Sequence, residues 1–399
     1  MIQSTNGSAQ PQTQADWTDV DHTGPGTLAG RYLRMFWQPI YRSQDLDHGR
    51  AKPLRIMSED FTLYRGEASP VPLPDGEATL PPPLPHLLAF RCAHRGTQLS
   101  AGWVEGDDLR CFYHGWKYDA TGQCIEQPAE PEPFCQRIKI RVYPVEEYLG
   151  LIFVYLGDGE PPPFPRYPLF EEDGVRTATT YRRDCNYYNS IENGVDPVHV
   201  AFVHRVSAFT DNGLIDLPHV FGEETDYGVA THAQRPGGAV RTTHHMMPNI
   251  LHIKGSPDDS ETGWTDQIAW RIPIDDEHHV SYGIVLQHVE GEAAERLRQR
   301  PGRGADVSAT VNEIAGDIMT GKIHVDEIGK PPYIVGVQDT IAQVGQGTLA
   351  DRLHEHLGRS DVVISLIRRV WARELQALAE DRPLKRWALP ERVEATIGV

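Results

Sequence analysis

Two short clusters of metal-ligating residues constrain this chain more than any other feature. Cys92-Ala93-His94 is followed, after sixteen residues, by Cys111-Phe112-Tyr113-His114. A CxH pair and a CxxH pair together offer two thiolates and two imidazoles. That is the ligand set of a two-iron, two-sulfur cluster in which cysteines hold one iron and histidines the other. Both pairs must then meet at one point. The stretch Val104-Glu105-Gly106-Asp107-Asp108-Leu109 reads as a turn between two strands, which puts the pairs at the tips of adjacent hairpins. Gly96 and Gly115 follow the histidines, where backbone must pass close to the cluster and a side chain would obstruct it. A structural Cys2His2 zinc site uses the same ligand types, but its usual spacings contain no CxH pair and a longer gap between the histidines.

The remaining cysteines say where such a cluster would be kept. Of five, Cys124, Cys135 and Cys185 are left over, an odd number with no disulfide pattern, as expected of a reducing, cytoplasmic setting. A net charge of −18 argues against nucleic acid or an anionic membrane as the main partner. The longest apolar run, Leu149 to Leu156, is far too short to span a bilayer. Residues 1–25 are rich in Gln, Ser, Thr, Gly and Asp, with no basic start and no apolar stretch. They read as a disordered lead-in and not a signal peptide.

Length and pattern divide the chain. At 399 residues it has room for two or three domains. Residues 26–160 are expected to form an N-terminal helix, over about 28–47 and broken at Pro39, followed by an antiparallel cluster-binding domain. A proline-rich stretch near 68–85 reads as a surface insertion. Pro161-Pro162-Pro163, with Pro165 and Pro168, marks a stiff linker over 161–175. Residues 176–399 mix strands, around Val240, Ile250–Ile253, Ile268–Ile272 and His279–Gln287, with an amphipathic helix over Val362–Ala379. The fold class expected is α+β. The run from Arg296 to Arg303 reads as a solvated basic loop.

A second constellation lies past the prolines: Glu192-Asn193-Gly194-Val195-Asp196-Pro197-Val198-His199, then His204. Two imidazoles and one carboxylate make a facial triad that suits iron(II) and leaves open positions for dioxygen. On a regular helix, residues five apart diverge by about 140°. His199 and His204 therefore need a distortion between them, such as a π-bulge. Asp196 and His199 share a face.

Three stretches taken together resemble the oxygenase (alpha) component of the Rieske non-haem iron aromatic-ring oxygenases, of the phthalate dioxygenase and O-demethylase branch. They are Cys92 to Trp116, the NxxDxxHxxxxH run from Asn193 to His204, and Val337 to Gln343 with Asp351 to Asp361. The resemblance implies a Rieske [2Fe–2S] cluster on Cys92, His94, Cys111 and His114. It also implies an antiparallel Rieske domain, then a catalytic domain whose antiparallel sheet is flanked by helices. His199 and His204 become ligands of a mononuclear iron, with Asp339 as the carboxylate. The sequence alone leaves Asp275, Asp276 and Glu192 open for that place.

No dinucleotide fingerprint is apparent, so electrons must come from outside. The resemblance supplies a separate NAD(P)H-dependent reductase and a homotrimer in which Asp196 bridges His114 of one chain to His199 of the next. Asn193 would contact the open side of the iron. The activity implied is hydroxylation, or O- or N-demethylation, of an aromatic acid or methoxy-aromatic with dioxygen. Ring cis-dihydroxylation and a Rieske electron carrier without oxygenase activity stand as alternatives. Arg241 or Arg205 is a candidate clamp for a substrate carboxylate, and Met246 and Met247 for an adaptable apolar wall.

Overall fold

The computed structural model describes residues 16–67, 83–207, 214–255, 263–389, 393 and 395–397. Among these, strands form four antiparallel sheets. Strand β1 (Trp37–Arg42) pairs with β11 (Leu151–Tyr155), which pairs with β10 (Val145–Tyr148). A second sheet orders β2 (Arg50–Ile56), β3 (Glu59–Arg65), β4 (Pro85–Ala89) and β9 (Val142–Tyr143). A third, of short strands, carries the cluster motif: β5 (Trp103–Glu105), β6 (Asp108–Arg110), β7 (Lys117–Tyr118) and β8 (Cys124–Glu126).

The fourth sheet is larger, with order β12-β18-β17-β16-β15-β14-β13. Its strands are β12 (Val175–Arg183), β13 (His219–Glu224), β14 (Gly228–Gln234), β15 (Val240–Met246), β16 (Ile250–Gly255), β17 (Thr265–Pro273) and β18 (His279–Gln287). Around it lie α2 (Tyr187–Val195), α3 (His199–Val203), α4 (Gly291–Arg298), α5 (Ser308–Met319), α6 (Ile334–Val344) and α7 (Val362–Ala379), while α1 (Leu28–Arg34) precedes β1. No helix among the described residues is long and apolar enough to cross a membrane.

Helix α7 shows how the parts are tied. Its 3.6-residue period buries Val363, Ile367, Val370, Trp371 and Leu375 on one face. Trp371 meets Tyr32 of α1 and Tyr188 of α2 edge-on, at 5.3 and 5.7 Å. Each such side chain contributes roughly 1.5–3 kcal/mol by leaving water. A smaller core of Tyr64, Leu88, Leu99, Leu109, Trp116 and Tyr118 surrounds Cys92 and Cys111.

Four expectations change. The first helix ends at Arg34, and Trp37–Arg42 is a strand that carries Pro39 beside a register shift. A proline is tolerated there because β1 is an edge strand and the bulge needs no donor. The described part of the lead-in, residues 16–25, is packed against the rest of the chain. Val20 and Thr23 are buried, and the Val20 carbonyl accepts from Tyr187 Oη at 2.9 Å. The proline segment is packed as well as stiff: Trp37 Nε1 donates to the Pro162 carbonyl at 2.9 Å, and Tyr167 meets Trp270 edge-on. The basic run begins inside α4, with Leu297 buried. Residues 1–15 and 68–82, with most of the proline-rich insertion, lie outside the described residues.

Candidate metal centres

The two cysteine–histidine pairs sit on the same turn made twice. In the first, Cys92 N–H donates to the Thr97 carbonyl at 2.9 Å and Gly96 N–H to the Cys92 carbonyl at 3.0 Å. In the second, Cys111 N–H donates to Trp116 O at 2.8 Å and Gly115 N–H to Cys111 O at 3.1 Å. Both turns need a left-handed residue, at φ +74° for Gly96 and +75° for Gly115. That is the reason for glycine. A Cβ at Gly96 would meet no protein atom within 4 Å, so within the chain itself the requirement is conformational.

The turns bring the four donors together. The His94 and His114 rings meet edge-on with centroids 4.6 Å apart, and Trp116 stacks on His94 at 4.6 Å and 7°. Both Nδ1 atoms are buried without a hydrogen-bond partner. A bare imidazole nitrogen in that state costs free energy unless a metal takes it. Tyr118 Oη accepts from Ala93 N–H and lies 3.2 Å from Cys92 Sγ, to which its own proton can be given. Burial pushes the Cys111 thiol up and Cys92 adds to the shift, so thiolates stand side by side here only against a cationic partner. These residues fit a [2Fe–2S] cluster with two thiolate and two imidazole ligands.

His199, His204 and Asp339 form the second group, with donor atoms all within 4.8 Å of one another. His199 opens α3. His204 lies just past its end, as the C-cap at φ −99°, ψ 16°. No π-bulge is needed: the helix stops at Val203, and His204 is free of the angular period that would have turned it away. Asp339 comes from α6. Its Oδ1 lies 3.3 Å from His204 Nε2 and 3.9 Å from His199 Nε2, and is buried without a hydrogen-bond partner.

The outer contacts fix both rings. His199 Nδ1–H donates to the Asp196 carbonyl and His204 Nδ1–H to Gln338 Oε1 at 3.0 Å, which turns both Nε2 atoms toward Asp339. Burial would raise the Asp339 carboxyl, but the His204 contact and the Arg183 charge outweigh it and hold it well below the usual carboxylate range. Burial lowers His199; at His204 the same effect is overcome by Asp339, and the net shift is upward. Two imidazoles and a carboxylate are a donor set that suits iron(II).

A cavity of about 150 Å³ opens beside the triad, walled by Leu251, Ile253, Val335 and Ala233. A hollow of roughly that volume accepts a benzene ring.

The Rieske [2Fe–2S] domain family matches residues 36–146. The alpha subunit of phenoxybenzoate dioxygenase from Ectopseudomonas oleovorans is 34% identical, over 92% of this chain and 85% of its own length. The oxygenase subunit of 5,5'-dehydrodivanillate O-demethylase from Sphingobium sp. is 30% identical, over 89% and 78%. The chain belongs to the Rieske non-haem iron oxygenases. A solved oxygenase–ferredoxin complex of carbazole 1,9a-dioxygenase has the same fold, with a TM-score of 0.62 at 21% identity over 92% of this chain and 95% of that one. Relatives that match nine-tenths of the chain are named oxygenases, so neither a zinc scaffold nor an isolated electron carrier describes it.

Within the Rieske oxygenase fold, the residues singled out from sequence separate clearly. Asn193, Asp196 and Arg241 line the triad cavity. Asp196 caps α2, and its Oδ1 accepts from Val198 N–H at 2.8 Å. Arg205 is exposed and lies outside the lining, so of the two candidate clamps Arg241 is the one at the cavity, where Arg271 joins it. Met246 and Met247 line a different hollow of about 240 Å³ with Trp37, Tyr167 and Trp387; Met246 faces away from Arg241 and Thr243 by the two-residue period of β15, and Met247 lies just past the strand's end.

The other carboxylates are engaged elsewhere. Asp275 contacts His278, Asp276 accepts from Thr23 N–H, and Glu192 is held by Arg352 and Arg368. Sequence reasoning missed Arg271, Gln338 and Arg183. Arg271 sits between Trp270 and Ile272 in β17, and a lone cation in an apolar strand was the available signal.

Proposed function

We propose that this Rieske oxygenase is the terminal component of a cytoplasmic system that takes electrons from a separate NAD(P)H-dependent reductase and inserts oxygen into an aromatic carboxylate, by hydroxylation or by O- or N-demethylation. The observation that carries the substrate class is two guanidiniums in the lining of the triad cavity, Arg241 buried and Arg271 half-buried. Arg241 donates only to the Lys254 carbonyl, its Nε has no partner, and burial lowers its pKa to about 10. Arg271 is also held near 10 by burial, with Nε unpartnered. Buried cations want an anion, and a planar fork suits a carboxylate. The relatives named for phenoxybenzoate and dehydrodivanillate support an aromatic acid.

In this reading Cys92, Cys111, His94 and His114 hold the cluster, and His199, His204 and Asp339 hold iron(II). When bound, the iron supplies dioxygen activation. The chain supplies the rest. Gln338 and the Asp196 carbonyl keep both imidazoles in the tautomer that presents Nε2. Arg241 and Arg271 anchor the carboxylate at the sheet, which points the ring at the triad. Leu251, Ile253 and Val335 exclude water, and Asn193 lies on the open side.

The same reading makes the molecule a homotrimer. Trp103, Phe112 and Tyr113 expose half or more of their surface around His94 and His114. Phe202 and Leu353, 61% and 93% exposed, offer apolar surface from the catalytic domain. A second copy seated there would let Asp196 bridge His114 of one chain to His199 of the next.

A single turnover tests the function: anaerobically reduced protein is exposed to labelled dioxygen with benzoates, methoxybenzoates and their uncharged methyl esters. One labelled oxygen, or formaldehyde release, from the acids alone is expected. Two labelled oxygens in one ring would establish cis-dihydroxylation instead. Turnover of the esters as fast as the acids would sink the carboxylate reading.

A further inference from the structure

Arg183 is a buried cation pointed at the triad from behind. It ends β12, and its guanidinium is held from three sides. Nε donates to Thr340 Oγ1 at 3.3 Å, and Nη1 donates to Ser190 Oγ at 3.4 Å and to Gln343 Oε1 at 3.2 Å. The Tyr181 ring lies beneath it, 4.5 Å from Cζ, and Tyr181 Oη in turn bonds Thr340. These partners come from β12, α2 and α6, so the group cannot swing without disturbing all three. Its remaining nitrogen, Nη2, stands 3.6 Å from Asp339 Oδ2.

The two oxygens of Asp339 are therefore unlike. Oδ2 faces a fixed positive charge. Oδ1 faces both imidazole Nε2 atoms and has no hydrogen-bond partner. We infer that Arg183 is a positioning residue that reserves Oδ2 and so makes Asp339 a one-oxygen ligand, through Oδ1. A carboxylate can otherwise offer a metal both oxygens. Holding one back leaves the triad with three protein donors and keeps a position open for substrate oxygen chemistry. It also explains why so much machinery is spent on an arginine that touches no cavity wall: Arg183 is absent from the lining that includes Arg241 and Arg271.

The inference rests on the triad reading, and the test separates the two. Full-length protein with an intact cluster, verified by its visible circular dichroism, is loaded with cobalt(II) at the mononuclear site. Metal affinity and the intensity of the cobalt visible bands, which weaken as coordination number rises, are read without turnover. Arg183→Gln is expected to bind cobalt(II) about tenfold or more tightly, because a repelling cation is gone and a second carboxylate oxygen is released. Its bands should weaken as Oδ2 becomes free to coordinate. Arg183→Lys keeps the charge without the fork and should fall between. Unchanged affinity and an unchanged spectrum in Arg183→Gln would overturn the inference.

Should Arg183→Gln fail to hold its cluster, Thr340→Val is read in the same way. It removes one acceptor and keeps the charge, so it should shift both readouts in the same direction by less. No shift in that variant overturns the inference too. His204→Ala is the control for the underlying reading. If it still binds cobalt at this site with wild-type affinity, the triad reading has failed, and not merely the role of Arg183.

Discussion

The two metal-binding regions are built on opposite principles. The cluster site is local: one stretch from Cys92 to Trp116 makes the same turn twice, and a small separate core supports it. The triad is assembled. His204 finds its outer partner, Gln338, 134 positions away, and the helix that carries Asn193 is pinned by Arg352 and Arg368 from further still. A local site survives if its own loops are sound. An assembled site depends on the packing of the whole catalytic domain, and it gains in return a cavity walled by several strands.

That contrast can be broken by counting metals. Cys111→Ser should abolish the cluster while the mononuclear site still binds its metal, and Asp339→Ala should do the reverse. Iron and acid-labile sulfide assays on the two proteins decide it. Loss of both metals in both variants would mean that the sites fold as one.

Next in size is Glu192→Ala. It removes one of two carboxylates from each arginine, since Arg352 keeps Asp21 and Arg368 keeps Glu355, at a place where Glu192 itself is only 6% exposed. Each charge-assisted hydrogen bond lost costs roughly 1.5–3 kcal/mol. Chemical unfolding followed by two probes should show the bulk far-ultraviolet transition moving to lower denaturant while the visible signal of the cluster moves less. Transitions that stay superimposed would show one cooperative unit.

Arg241→Leu acts on the assembled site alone. Losing a charge-assisted hydrogen bond costs about 1.5–3 kcal/mol, roughly ten- to a hundredfold in KM for an aromatic acid. The KM for the methyl ester should hardly change, and steady-state kinetics on the pair reads the difference.

The smallest effect sharpens the claim of a repeated turn. Gly96→Ala and Gly115→Ala should each cost about 1–2 kcal/mol, since each forces a side chain into the left-handed region. Gly115→Ala should cost slightly more, because its Cβ would meet Pro128 Cγ at 3.3 Å while the one at Gly96 meets nothing. Thermal loss of the visible cluster signal measures both. Very unequal losses would mean that the two turns are not equivalent.

The same contrast sets what could be read from sequence. A local site writes itself in neighbouring residues, so the two cysteine–histidine pairs and the hairpin between them could be picked out from spacing. Long periodic elements were legible too: β18 and α7 lie where alternation and 3.6-residue spacing put them. Strand β1 was not, because Trp37, Ile40 and Tyr41 around Pro39 satisfy a helical period as readily as an edge strand. At the assembled site, His199 and His204 could be seen but not how they converge, since the answer was a helix end and not a bulge. Asp339 came only by resemblance. Arg183 and Arg271 could be placed on a face by the two-residue period, yet nothing local says what stands opposite that face.

The paired guanidiniums carry a practical consequence for anyone handling the protein. If Arg241 and Arg271 hold a substrate carboxylate as proposed, acetate, formate or citrate in a buffer offers them the same fork-shaped partner at concentrations far above any substrate. Assays in such media would then understate affinity for aromatic acids and rank uncharged compounds too favourably. The choice of counter-ion therefore decides which substrates a screen of this enzyme is able to find.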